Sequence, residues 1–180
     1  MFARLMLLLT AAAAGLAATP SHAMSGDCVW GQLAPATRDA MIQGYLRNGP
    51  DVLGRVFVSA RELEDIDANC ASTAVPDDLK DRLFSAVVLE RGAAVFLKQR
   101  LGWRDEDLQD AWERMAPHER AALRRGADAI LQGERPADDL SDAMRAFLGD
   151  SPALDDPKAI DEVMGYLTSR AIREAIEQRG

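Results

Sequence analysis

Between residues 35 and 178, apolar side chains recur at intervals of three and four, the spacing that places them on one face of an α-helix. Pro35 suits a first helical position, and the helix it opens continues over 38–47 until Asn48-Gly49-Pro50 stops it. A short helix from about Asp51 is expected to carry Val52, Leu53, Val56 and Phe57 on one side. Ser59 and Glu62 have capping-box spacing, so the next helix starts there, with Leu63 and Ile66 inward, and runs to about Cys70. A loop over 71–76 precedes the longest helix of the first half, predicted over 77–101. From 83 to 97 that segment is apolar nearly all round, broken only by Ser85, Glu90, Arg91 and Gly92. Such a helix belongs in the middle of a bundle, and Gly92 permits a neighbour to approach closely.

The second half follows the same grammar. Gly102 ends the long helix, and Asp105 opens a short one with Leu108, Trp112 and Met115 on one face. Pro117 begins another that reaches Gln132-Gly133, with Leu123, Ala127 and Ile130 inward. Pro136 suits the first position of the next, which runs to Leu148 and uses Leu140, Met144 and Phe147. The last helix is predicted over 156–178, where Ile160, Val163, Met164, Leu167, Ala171 and Ala175 form one stripe. The only β-branched cluster, 52–58, has helical rather than alternating spacing. The pattern predicts an all-α, single-domain bundle of about seven to eight helices. Residues 30–44 and 112–126 align without gaps, sharing Trp, Ala, Pro, Arg, Ala and Gly. A duplicated three-helix unit with halves 30–101 and 112–180 is therefore expected.

The first 23 residues have a different pattern. Arg4 precedes an apolar run from Leu5 to Ala18 broken only by Thr10, and Pro20-Ser21-His22-Ala23 follows. Small residues at Ser21 and Ala23 suit cleavage before Met24, so 1–23 is expected to be a cleaved export signal and 24–180 the folded domain. The run is shorter than the roughly 20 residues that span a bilayer. Asp27 before Cys28 argues against a lipid anchor, so no membrane anchor is expected after cleavage. The expected location is the periplasm or the outside of the cell.

Composition then narrows the chemistry. Losing 1–23 removes one basic side chain, Arg4, so 20 basic residues face 29 acidic ones, a net charge of −9. That excess argues against nucleic acid as a partner. In an oxidising compartment Cys28 and Cys70 are expected to form one disulfide tying the N-terminus to the helix that ends at Cys70. Cleavage also removes His22 and leaves His118 alone, too few imidazoles for the common catalytic zinc sets within one subunit.

No segment carries a convincing catalytic signature. Asp65, Asp67 and Asn69 match the start of a calcium loop, but Cys70 replaces the turn glycine and Pro76 the bidentate glutamate. They read as a polar helix end. His118-Glu119 sits at a helix start, where an acidic residue suits the dipole, as it does for Asp105-Glu106-Asp107, Asp138-Asp139 and Asp155-Asp156. Trp30, Trp103 and Trp112 lie near helix boundaries; core packing is the simpler role for each, and contact with a partner is the functional one. The expectation is an exported helical protein that acts by binding a protein partner or a small apolar ligand rather than through a recognisable catalytic motif, with no metal or cofactor. The rivals are a cell-envelope hydrolase using paired carboxylates and a structural or stress-protective envelope protein.

Overall fold

The computed structural model describes residues 24–70, 75–136 and 140–179. The expected leader and its cleavage point after Ala23 lie outside the described residues, as do Asp138 and Asp139. Among the described residues there are eight α-helices and no strand: α1 (Gly26–Gln32), α2 (Pro35–Asn48), α3 (Ala60–Cys70), α4 (Asp77–Leu101), α5 (Asp105–Arg114), α6 (Pro117–Leu131), α7 (Ser141–Leu148) and α8 (Pro157–Glu177). Short 3-10 turns at Gly49–Gly54 and Pro152–Asp155 join α2 to α3 and α7 to α8. The all-helical bundle is the one the periodicity predicts.

The long helices α4 and α8 form the most extensive pair. They run antiparallel: Arg100 near the end of α4 meets Asp156 at the start of α8 (2.9 Å), and Glu90 meets Arg173 near the other end of α8 (2.6 Å). Leu83, Val87 and Leu97 of α4 and Val163, Leu167 and Ala171 of α8 expose at most 2% of their surface. The other helices pack around this pair. α2 crosses α4 at Gly92, where any Cβ would overlap the Tyr45 ring. Tyr45 then reaches past α4 to donate its hydroxyl to Glu162 Oε2 of α8 (2.6 Å). Burial first, and then that hydrogen bond and the charge of Glu162, push the Tyr45 phenol far above its usual range.

Three features depart from the periodic reading. Helix α1 precedes the first predicted helix, so the N-terminal segment is anchored rather than loose. Ser25 Oγ accepts the Cys28 amide (3.2 Å), Met24 and Val29 are buried, and Gly26 N–H donates to Glu177 of α8 (2.7 Å). Seven residues with two glycines were too short to show a period. The segment after Pro50 is a 3-10 turn, and only Val52 and Val56 turn inward; Leu53 (39%) and Phe57 (84%) are exposed. The turn ends at Gly54, so Val56 and Phe57 lie beyond it and the 52/53/56/57 set does not share one helical face. Leu63 is exposed as well (48%), because α3 covers only the line through Ile66 and Cys70. In the second half, α7 begins at Ser141, and Pro136 is an exposed residue of the connection before it.

The two similar segments occupy matching places. Leu33-Ala34 and Met115-Ala116 both link a short helix to a Pro-initiated one through extended backbone, with ψ angles of 137° and 147° in the first and 138° and 153° in the second. Leu33 and Met115 are both buried, as are Met41 and Leu123. At Gly44 a Cβ would crowd Val52, and at Gly126 it would touch Pro136 and Leu140, so each glycine faces the segment that follows its helix. Each half runs short, medium, short and long.

Cys28 and Cys70 are bonded, joining α1 to the end of α3 (Cα–Cα 5.6 Å). Glu62 is a second tie in this region. Its carboxylate accepts Ser59 N–H (2.9 Å), the Ser59 hydroxyl (2.6 Å) and, across the chain, Ala34 N–H (3.0 Å). One side chain thus completes the capping box of α3 and serves the start of α2.

Two measurements test these ties. Closing 42 residues of sequence stabilises by about 4 kcal/mol on chain-entropy grounds, so reduction is expected to lower the thermal midpoint by roughly 8–16 °C. An unchanged midpoint would show the bridge to be idle. The Ser59 hydroxyl, followed by the Thr37 hydroxyl and the Ser59 and Ala34 amides, lowers the Glu62 carboxyl from 4.5 to about 2. A carboxyl whose pKa falls on folding stabilises the native chain above its unfolded value and loses that effect as pH drops through its folded value. Glu62→Gln is therefore expected to cost about 1 kcal/mol near neutral pH. The deficit against the parent protein should shrink as pH falls from 4.5 towards 2; a deficit constant over that window would contradict the assignment.

Candidate functional site

Beside its apolar stripe, α8 carries Glu162, Tyr166, Arg170, Arg173, Glu174 and Glu177 at helical intervals. None of these stands out in the sequence, because Glu162, Arg170 and Arg173 find decisive partners far along the chain. Arg170 is 8% exposed. Its guanidinium lies over the Trp112 ring (4.5 Å to the centroid) and donates to the Tyr166 hydroxyl (2.9 Å), Gln109 Oε1 (2.7 Å) and Glu174 Oε1 (3.2 Å). Arg173 grips Glu90 of α4 through two bonds (2.6 and 3.2 Å) and donates a third to Glu177 (2.9 Å). Glu177 in turn accepts the Gly26 amide, so the network ends at the first turn of α1. Burial raises the Tyr166 phenol above its ordinary value, against the opposing charge of Arg170.

This network floors a cleft of about 310 Å³ bounded by α1, α4, α5 and α8. Asp27 of α1 pairs with Arg91 of α4 on one side. Asp105 at the start of α5 pairs with Lys98 of α4 on the other (2.9 Å). Ala94 and Leu108 add apolar surface. Three carboxylates line the space, but they do not form an acid–base couple. Glu90 has both oxygens engaged by Arg173, while Asp27 and Asp105 are 83% and 77% exposed.

A second recess, of about 270 Å³, is bounded by α4, α6 and α8. Its walls are Ala86 and Leu89 of α4, Ile130 and Leu131 at the end of α6, and Ile172 of α8, with the serines 85 and 169 and the carboxylate of Asp81 also in the lining. At its rim Arg82 Nη1 donates to the Ile130 carbonyl (3.0 Å), closing the last turn of α6 and holding the groove edge in place.

The residues singled out in the sequence are dispersed. Trp112 is buried beneath Arg170. Trp103 is partly buried, 5.7 Å from the Phe147 ring, and Trp30 packs partly buried against the core from α1. Asp65, Asp67 and Asn69 lie along α3; Asn69 Nδ2 turns back to the Asp65 carbonyl (2.9 Å) and Asp67 pairs with Lys80 (3.5 Å). Among the described residues no group of His, Cys, Asp and Glu is placed to hold a metal ion. His118 is exposed in the first turn of α6, where Glu119 accepts the Ala116 amide (2.6 Å). Asp107 does the same for α5 by accepting the Arg104 amide, and Asp156 caps α8 by accepting the Lys158 and Ala159 amides. Among the described residues no helix is long and apolar enough to cross a membrane.

No family model matches the chain, and neither the curated proteins nor the solved structures provide a match.

The weight of the buried network can be measured. Arg170→Ala strands the buried Tyr166 hydroxyl and leaves the largely buried Glu174 carboxylate without its cation, and a loss of about 3–5 kcal/mol is expected. Arg170→Met, which keeps the volume over Trp112, should recover part of it. Urea unfolding of the two variants decides, and a loss below about 1 kcal/mol in the alanine variant would reduce the network to decoration.

Proposed function

We propose that the protein is exported, with 1–23 as its cleaved leader, and that it acts by binding a small apolar ligand in the groove between α4, α6 and α8. The observation that carries this reading is the groove itself: aliphatic walls from three helices and two serines, with Asp81 and the Arg82 that holds its rim as the charged groups of the lining. Ligand sites are concave and mostly apolar, with a few polar groups that orient the guest. At about 270 Å³ this one suits a compact hydrocarbon body rather than a long chain. The Cys28–Cys70 disulfide supports the export half of the reading, since such bonds persist in oxidising compartments.

The test is a fluorescent apolar probe, N-phenylnaphthylamine, titrated against the parent protein and Ser85→Phe. The phenyl ring should fill the groove, so the variant is expected to lose at least tenfold in affinity, about 1.4 kcal/mol, while its far-ultraviolet circular dichroism stays the same. Equal binding by both proteins would remove the groove from consideration. N-terminal sequencing of the protein recovered from its native host should begin at Met24; a chain retaining 1–23 would overturn the export reading.

A further inference from the structure

Ser169 and Arg170 are neighbouring buried residues of α8, 5% and 8% exposed. Arg170 is held by Trp112, Tyr166, Gln109 and Glu174. Ser169 belongs to the other recess, the groove between α4, α6 and α8. Among the described residues its hydroxyl has no hydrogen-bond partner, yet no side-chain oxygen there is both sealed from solvent and unpaired. The hydroxyl therefore opens into the groove. Packing does not explain it. Alanine would fill the same place with higher helix propensity and no polar group to satisfy.

We propose that the ligand of this groove is a neutral, compact apolar alcohol or phenol whose hydroxyl bonds to Ser169, an inference that rests on the groove being the binding site. In the open groove solvent can satisfy the serine. A pure hydrocarbon guest would displace that solvent and leave the hydroxyl buried without a partner, which is costly. A guest with a hydroxyl of its own restores the bond while its apolar body meets Ala86, Leu89, Ile130, Leu131 and Ile172. The charges at the mouth do not favour an ion. Asp81 and Arg82 bring one of each sign; Asp81 is exposed, and Arg82 commits Nη1 to the Ile130 carbonyl.

The experiment is displacement of bound N-phenylnaphthylamine by 4-ethylphenol and by ethylbenzene, which share a carbon skeleton and differ by one hydroxyl, with 4-ethylbenzylamine as the cationic counterpart. In the parent protein the phenol is expected to bind at least tenfold more tightly than ethylbenzene, about 1.4 kcal/mol. Ser169→Ala should abolish or reverse that preference, because the phenol hydroxyl then leaves water without finding a partner. The thermal midpoint of this variant without ligand should equal or exceed the parent's, since the hydroxyl removed has no partner in the fold. The proposal is overturned by a lowered midpoint, by equal binding of phenol and ethylbenzene in the parent, by a preference that survives in Ser169→Ala, or by tighter binding of the amine, which would make Asp81 the anchor. Each of these leaves the groove itself standing as long as the probe distinguishes Ser85→Phe from the parent; a probe that does not distinguish them removes the groove and this ligand class together.

Discussion

The antiparallel pairing of α4 with α8 is the constraint on which the other helices depend. Their apolar residues alone would not fix it, because faces built from Leu, Val and Ala can slide by a helical turn with modest loss. Polar contacts remove that freedom. Arg100–Asp156, Glu90–Arg173 and Tyr45–Glu162 are spread along the pair. A slip of one turn, about 5.4 Å, would break Arg100–Asp156 and Glu90–Arg173 together, leaving Glu90, 12% exposed, without Arg173 and Arg173 with only Glu177 of its own helix. Burying such groups costs desolvation that well-packed hydrophobic residues would avoid. The return is one register rather than several.

That register reaches the N-terminus. A seven-residue helix cannot hold itself together in water, since nucleation costs more than so few hydrogen bonds return. Helix α1 persists because it is tied on three sides: to α3 by the disulfide, to α8 by Gly26–Glu177, and to α4 by Asp27–Arg91. Gly26 also sits against Arg173 and Val87 where no side chain would fit, so the seat of α1 is shaped by the position Arg173 takes against Glu90. The bridge to Cys70 then carries the constraint into α3.

The contrast between what the sequence disclosed and what it hid has a physical cause. Helix α4 was legible to the residue, because Pro76 and Gly102 bound it and its apolar character is nearly continuous. The Ser59–Glu62 box was legible because a cap is local. The 3-10 turn was not, since a few apolar residues fit either period, and Phe57 was placed inward by a periodicity the backbone does not follow. The Cys28–Cys70 bond was reachable because only two cysteines exist. The buried network was hidden for the opposite reason. Arg170 finds Gln109 at a separation of 61 residues and Arg173 finds Glu90 at 83, and among many arginines and carboxylates nothing local marks those that pair.

The two recesses follow from unequal helix lengths. At 1.5 Å per residue, α4 and α8 extend about 37 and 31 Å, whereas α1, α5 and α6 have 7, 10 and 15 residues. Short helices cannot cover long ones from end to end. Where α6 stops at Leu131, the apolar surface of α4 and α8 beside it lies bare and forms the groove. Where α1 stops short of α5, the gap opens over Glu90 and Arg173 of the pair. The character of each recess is thus inherited from the part of the α4–α8 pair it uncovers.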